Sequence, residues 1–355
     1  MELDDTERSL LALLRTRGLS VKYMDETKKE ELRRFLLFLH VEKGMSLNDV
    51  ANLVGNKTSG YTSWLYRQLE VKCRPFEEAR LKGIREKKRK YERRPFDGTE
   101  EDKAYLLGLR HGDLSVSKPW KGVVRVSTST THPAMADLFR ALFEPYGHVY
   151  QHPRYKKDTH TYEWNVSAIL DDTFEFLFLK LPEVKDWISS NQGLTLAYLA
   201  GLLDAEGSVV TTRNKRGVIL LLASWNNSDL DLLTWVRERL RCLNYPTSLC
   251  INKRKGVRSK KYGIIHRRDY WQLSIFGIAK VQEFLRGISP RHAEKLRRIR
   301  IALSIRKGQH YSEVSEALTR LRAEIKSDVK RFVLEAELQY LKTHTPTGTA
   351  FPRSP

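Results

Sequence analysis

Apolar residues recur along this chain at spacings that separate helices from strands. Near the N-terminus, Glu30 to Val41 carries Leu32, Phe35, Leu36, Phe38 and Leu39, the three-and-four spacing of an amphipathic helix, and the pattern breaks at Lys43-Gly44. Ser46 with Asp49 three residues on is a capping-box signature ahead of Val50, Ala51 and Val54, and Gly55 stands where a helix C-terminal cap belongs. A second short helix, from about Thr58 to Leu69, places Tyr61, Trp64 and Leu65 at helical spacing. Residues 1 to 70 are thus expected to be a small helical domain.

The unit Ser46 to Leu69 resembles a helix-turn-helix of the resolvase-like kind. Ala51 and Gly55 would let its helices cross closely, leaving Thr62, Ser63, Arg67 and Gln68 outward to face a groove. A helical hairpin packed on the rest of the protein fits the same pattern. Val71 to Pro95 then holds eleven basic and four acidic residues, read as a charged, helical linker that either tracks phosphates or is a solvated face.

Past Pro95 and Gly98 the pattern repeats. Glu101 to Asp113 predicts a helix, Leu114 to Ser117 and Val123 to Ser129 strands, Pro133 to Tyr146 a helix, His148 to Tyr155 and Tyr162 to Ile169 strands, and Asp171 to Ser189 a helix. The same αββαββα order restarts at Leu194: a helix to Glu206, strands Ser208 to Thr212 and Val218 to Ser224, and a helix Leu230 to Leu243. Strands Thr247 to Lys253 and Tyr262 to Ile275 and helices Ala279 to Gly287 and His292 to Ile305 complete it. The expected fold class is α+β, a tandem pseudo-twofold repeat over 96 to 190 and 191 to 308, behind the helical domain and the 71 to 95 linker. In the remaining segment, 309 to 355, His310 to Thr343 reads as one long helix with an apolar stripe that packs back onto the body, ahead of a disordered tail.

Composition narrows the partners. The 355 residues carry a net charge of +20, while 41% of them are hydrophobic, enough to bury real cores, so this is no disordered basic tail. A polyanion, with nucleic acid ahead of a membrane surface, is the expected partner. The acidic start Met-Glu-Leu-Asp-Asp has no signal-peptide pattern and no apolar run reaches a membrane span, so a cytoplasmic, nucleoid-associated location and no membrane partner are expected. Three cysteines without a C-x-x-C pair exclude a disulfide framework and a cysteine zinc site.

Each copy opens on a related string, Ala104 to Ser115 and Ala197 to Ser208. Small residues stand four apart, Gly108 with Gly112 and Gly201 with Ala205, and an acid follows in each, Asp113 and Glu206. If the two helices pair about a pseudo-twofold axis, the carboxylates converge at one end of their seam. They would repel unless a divalent cation joined them, and hard carboxylate oxygens suit magnesium. Asp113 and Glu206 are the candidate catalytic and metal-binding residues, with Gly112 and Ala205 just before them as further metal candidates. His111 is expected to pack against or cap the seam rather than act as a base.

These strings resemble the two-motif LAGLIDADG homing endonuclease family. Leu199 to Gly207 is a near-complete match; Leu106 to Leu114 departs from it with Arg110, His111 and Leu114, and the acids stand 93 residues apart. The resemblance, over about Pro95 to Lys307, implies a monomer whose two antiparallel sheets form a saddle on a long asymmetric double-stranded DNA site. The motif helices would be the domain interface, and each repeat would lend one acid to a magnesium-dependent hydrolysis of one phosphodiester per strand. It also implies a pocket lysine, for which Lys295 and, more loosely, Lys180 are candidates; solvated helix-end lysines are the alternative.

Basic clusters on the strands fit the same partner: Arg154, Lys156 and Lys157 in copy one, and Lys253, Arg254, Lys255, Arg258, Lys260, Lys261, Arg267 and Arg268 on a hairpin of copy two, joined by Arg67 of the helical domain. A solvated loop is the plainer reading of that hairpin. The competing function is a non-cleaving DNA-binding regulator, or a maturase bound to its own intron RNA, built on the same fold.

Overall fold

A computed structural model of the chain describes residues 5–15, 21–55, 59–72, 91–157, 159–258, 263 and 265–344. They fall into two compact units, Met1–Lys90 and Tyr91–Pro355.

In the first unit, helices α1 (Asp5–Leu14), α2 (Glu26–Leu37), α3 (Leu47–Leu53) and α4 (Ser59–Gln68) enclose a core that includes Leu14, Leu32, Phe35, Leu36, Val50, Leu65 and Tyr66. The Ser46 capping box forms: the Ser46 N–H donates to the Asp49 carboxylate at 2.9 Å and the Asp49 N–H to Ser46 Oγ at 3.2 Å. The outward face of α4 differs from the expected one. Thr62 is fully buried and Trp64 is exposed, stacked on Tyr61. The buried set Thr62, Leu65, Tyr66 and Leu69 is a single helix face, held by the Tyr66 hydroxyl donating to the Leu36 carbonyl at 3.2 Å. Arg67 and Gln68 do point outward. Gly55 serves its left-handed backbone (φ 81°) and not a close helix crossing, since a Cβ there would meet open space. Residues 73–90, most of the basic linker, lie outside the described residues, as does the tail from 345.

The second unit takes in the end of that linker. Tyr91 stacks on His148, the Arg94 N–H donates to the Tyr146 carbonyl at 2.9 Å, and Phe96 packs among Tyr146, Phe174 and Phe176. Two αββαββα repeats follow. Repeat one comprises α5 (Glu100–Gly112), β1 (Ser115–Ser117), β2 (Val124–Thr130), α6 (Pro133–Phe143), β3 (Val149–Lys156), β4 (Thr161–Leu170) and α7 (Leu181–Ser189). Repeat two comprises α8 (Gln192–Glu206), β5 (Gly207–Arg213), β6 (Ile219–Asn227), α9 (Leu230–Cys242), β7 (Thr247–Lys253), β8 (Tyr270–Phe276), α10 (Ile278–Gly287) and α11 (Ala293–Ser304). The strands form two antiparallel sheets, β1-β2-β4-β3 and β5-β6-β8-β7. One face of each is apolar and packed under helices, as Val124, Val126, Val166 and Ala168 show in one sheet and Val209, Leu221, Ala223 and Ile275 in the other; the opposite face is open and mainly polar.

Two expected elements differ. Asp171 to Ser189 is no continuous helix but a 3-10 turn, Asp172–Phe178, and then α7: Leu179 is extended, and Pro182, without an N–H and with its ring against the carbonyl four residues back, cannot continue a helix from Phe178 but fits the first turn of a new one. Strand β8 begins at Tyr270, eight residues after the expected start at Tyr262, which is itself outside the described residues. Ahead of it the described residues are linked by turn contacts instead: the Lys255 N–H donates to Asp269 and the Gly256 N–H to the His266 carbonyl.

Helix α12 (Ser312–His344) runs from repeat two back over repeat one, burying Val314, Leu318, Leu321, Ile325 and Ala336. Trp164 Nε1 on β4 donates to its Phe332 carbonyl at 2.9 Å. Among the described residues no helix is long and apolar enough to cross a membrane.

Candidate functional site

The site is built on the seam between α5 and α8. Both helices are apolar where they meet, and two glycines set the spacing. A methyl added at Gly108 would strike the Tyr198 carbonyl and lie 2.8 Å from Leu202 N; one at Gly201 would strike the Tyr105 carbonyl and lie 3.0 Å from Leu109 N. The helices therefore cross at backbone contact, and the contact is reciprocal, as pseudo-twofold symmetry requires. Gly112 meets Ala205 at the same end of the seam, where the Glu206 side chain is 3.1 Å from a Gly112 Cβ position.

Asp113 caps α5, its N–H donating to the Leu109 carbonyl at 3.0 Å, and Glu206 closes α8. The crossing thus brings the two acids together. Burial and the neighbouring Asp113 charge push the Glu206 carboxyl up to about 7, against the pull of Lys295. Asp113 is raised by its crowded surroundings, again against Lys295, although much of its residue surface remains open to solvent.

Lys295, the third residue of α11, is not solvated. Its Nζ donates to the carbonyls of Leu203 and Asp204, each at 2.5 Å, and Ala205 at 3.1 Å, so it caps the carbonyl end of α8. Burial draws its pKa down to about 8, opposed by Asp204, Asp113 and Glu206. Lys180 is exposed at the start of α7, and at the third residue of α7, where α11 has Lys295, stands Glu183, whose carboxylate accepts from the Lys180 N–H at 2.7 Å. Among the described residues the Lys295 ammonium is the positive charge that acts on both acids.

A second symmetric device ties the seam to the rest of each repeat. Tyr105 of α5 donates its hydroxyl to Asp204 of α8 at 2.7 Å, and Asp204 Oδ2 also accepts the backbone N–H groups of Arg291 and His292. On the other side His111 Nδ1 lies 2.8 Å from the Tyr198 hydroxyl and Nε2 lies 3.1 Å from the Leu179 carbonyl. A carbonyl only accepts, so Nε2 carries the proton and Nδ1 accepts from Tyr198. Burial, with some help from Arg110, lowers the His111 pKa, which keeps this neutral form. His111 is a seam residue, as expected; Asp204, Tyr105 and Tyr198 are seam residues that the motif reading left without a role. An acid two residues before the end of a largely apolar helix was the available signal, since a buried acid demands partners.

The donor set at the seam suits a hard divalent cation: two adjoining carboxylates resist joint ionisation and offer only oxygen. Among the described residues no cluster of three or more His, Cys, Asp or Glu side chains is placed to hold a metal. The Ala205 carbonyl, named as a ligand candidate, is already engaged by Lys295.

The basic candidates within the described residues are exposed. Arg154 and Lys156 project from the open face of β3, 4.0 and 3.8 Å from Glu163, and Lys157 follows at its end. Lys253, Arg254, Lys255, Arg258, Arg267 and Arg268 are exposed on the hairpin, and Lys260 and Lys261 are outside the described residues. The open face of repeat one adds Arg125 and His152, close enough for the Arg125 charge to help burial lower the His152 pKa. Strict alternation along Val124-Arg125-Val126 already marked Arg125 as outward.

Residues 193–288 match the family model of the LAGLIDADG-like domain. The match falls within the second repeat. Two curated relatives come from Methanocaldococcus jannaschii. The uncharacterized protein MJ0398 is 28% identical over 149 residues, 41% of this chain and 51% of that one. The uncharacterized protein MJ0314 is 27% identical over 146 residues, 39% of this chain and 54% of that one. The chain spans about half the length of the curated relatives it matches. Among solved structures, I-DmoI in complex with DNA and Ca aligns at 21% identity over 53% of this chain and 89% of that one, with a TM-score of 0.34. Full-length DUF199/WhiA from Thermatoga maritima aligns at 16% identity over 69% and 94%, with a TM-score of 0.38. The homing endonuclease I-WcaI bound to its DNA recognition sequence aligns at 13% identity over 56% and 86%, with a TM-score of 0.40. The matched stretch includes Glu206, and Asp113 stands at the corresponding position of repeat one.

Proposed function

We propose that this chain is a magnesium-dependent, site-specific endonuclease of double-stranded DNA, of the homing type, cutting one phosphodiester in each strand as a monomer. The observation that carries this reading is the convergence of Asp113 and Glu206 on one end of a backbone-tight seam between two sheets with open polar faces. Asp113 and Glu206 would hold the ion and orient water and the scissile phosphates. A bound divalent cation supplies Lewis-acid polarisation of phosphate oxygen and an acidified water. Lys295, buried and fixed on three carbonyls, holds its charge within reach of both acids and would stabilise negative charge gathering on phosphate. Arg154, Lys156, Lys157 and the basic hairpin would contact backbone phosphates, and Arg67 would extend the contact from the helical unit.

The test is cleavage of a randomised duplex pool by the full chain with magnesium, read by sequencing the cut ends. Asp113→Asn and Glu206→Gln should each abolish double-strand cleavage and leave binding largely intact. An uncut pool at saturating protein would sink the nuclease reading, and loss of binding alone would give the acids a structural role.

A second reading, a non-cleaving DNA-binding regulator or intron RNA maturase, draws on two features of repeat one: neutral His111 in the motif, and Glu183 where repeat two has Lys295. Tight binding to its own promoter or intron RNA without any nicking would favour it.

A further inference from the structure

The pseudo-symmetry matches the two open sheet faces row by row. Ser115, Ser127, Ser167 and Tyr150 form one row across β1, β2, β4 and β3. Ser208, Ser224, Ser274 and Ser248 form the corresponding row across β5, β6, β8 and β7. On one side of these rows the match stays polar, with Ser129, Asn165 and His152 against Asn226, Gln272 and Cys250. On the other side, two residues further from the acids along β1 and β5, it breaks. Repeat one has Ser117, Arg125 and Ile169; repeat two has Val210, Leu222 and Phe276, with Leu220 one step beyond.

That row of repeat two faces solvent: Leu220 and Phe276 are 44% and 45% exposed, and Val210 and Leu222 are half-buried. Apolar side chains in register across three strands of a polar face forgo hydrophobic burial energy unless something covers them. The occupant is indicated by their register. They continue a face whose other rows offer hydroxyl and amide groups at Ser115, Ser208, Ser248, Asn165, Asn226 and Gln272, although Ser167 and Ser224 at its centre are buried, and they occupy the position at which repeat one presents the Arg125 guanidinium. A two-residue step along a strand, about 6.8 Å, equals about two base-pair rises, so each row meets its own base pair in a major groove. There, a guanidinium pairs with guanine O6 and N7, and an apolar side chain packs on the thymine methyl group.

We propose, resting on the DNA-binding reading above, that the two half-sites are read by unlike chemistry at this one pseudo-symmetric position: Arg125 reads a guanine, and the Val210–Leu222–Phe276 row reads the 5-methyl group of a thymine. The site is then asymmetric by construction, and the asymmetry has an address in the protein.

The experiment selects bound duplexes from a random pool with the full chain and then edits single atoms of the selected site. Replacing the thymine by uracil keeps the base pair and deletes the methyl group. Binding should weaken about fourfold, the worth of one buried methyl, and Leu222→Ser should make the protein indifferent to this exchange. Replacing the guanine of the other half-site by 7-deazaguanine should weaken binding about tenfold, an effect lost in Arg125→Gln. Selected sites with the same base at both positions, or indifference of the wild-type chain to thymine against uracil, overturn the proposal and leave DNA binding standing. Enrichment of no duplex overturns the DNA-binding reading itself. Concentration-dependent self-association abolished by Leu222→Ser would assign the row to a second copy and also overturn the proposal.

Discussion

Removing the Glu206 charge should stabilise the metal-free protein, and only at neutral and higher pH. In the fold the Glu206 carboxyl titrates at about 7 against an ordinary 4.5, so the folded chain holds that proton more tightly than the unfolded one. Its contribution to stability is complete below pH 4.5 and is lost as pH rises through about 7. At about 1.36 kcal/mol per pH unit the ionised form costs up to about 3 kcal/mol, and partial access to water brings this to about 1–2 kcal/mol. Asp113 acts in the same direction. Lys295 acts in another window: its cost is constant below about 8 and vanishes as pH rises toward 10.5, so the least stable region lies between about pH 7 and 8. The assay is calorimetric unfolding in EDTA at pH 5 and pH 8, following the transition of residues 91–355. Glu206→Gln should match wild type at pH 5 and unfold about 3–6 °C higher at pH 8. Millimolar magnesium should raise the wild type and close the gap, because the ion binds the ionised pair. A variant less stable than wild type at pH 8, or an offset equal at both pH values, would refute the reasoning.

Gly201→Ala should cost about 3 kcal/mol in thermal unfolding, because its methyl meets the Tyr105 carbonyl rather than a movable side chain. Gly55→Ala, with open space around it, should lose only about 1 kcal/mol to its left-handed backbone. Lys295→Met should lower the cleavage rate about a hundredfold, read on both strands of an end-labelled duplex, since one ammonium faces both acids. Thr62→Val should raise the stability of the helical unit by about 0.5–1 kcal/mol in urea unfolding, because the Thr62 hydroxyl is buried without a hydrogen-bond partner.

Much of the fold was legible because hydrophobic periodicity and capping chemistry are local. The repeated αββαββα order followed from alternation in strands such as Val124 to Thr130 and from the helical spacing in Pro133 to Phe143. The errors arise where distant contacts override local preference. Trp64 and Thr62 exchanged faces because Tyr66 reaches the Leu36 carbonyl across the unit, which rotates α4 about its axis. The long strand expected from Tyr262 gave way because Asp269 captures the Lys255 N–H and fixes a bend that hydropathy does not register.

The site shows the same division between local and distant information. Its acids could be read from spacing alone, since a glycine five residues ahead of each fixes where a paired helix must end. The difference between the repeats could not. Lys295 is 89 residues from Glu206 in sequence, and at a helix start it reads as a solvent-facing charge; only the fold turns it onto the carbonyls of Leu203, Asp204 and Ala205. That placement gives a physical reason for the mismatch in the first motif. In repeat two an acid, Asp204, accepts two N–H groups of the segment that delivers Lys295; in repeat one the corresponding segment offers the Leu179 carbonyl instead, and an acid there would face an acceptor. Histidine at 111 supplies the missing donor while still accepting from Tyr198, so the departure from the motif preserves the seam by reversing the polarity of one hydrogen bond.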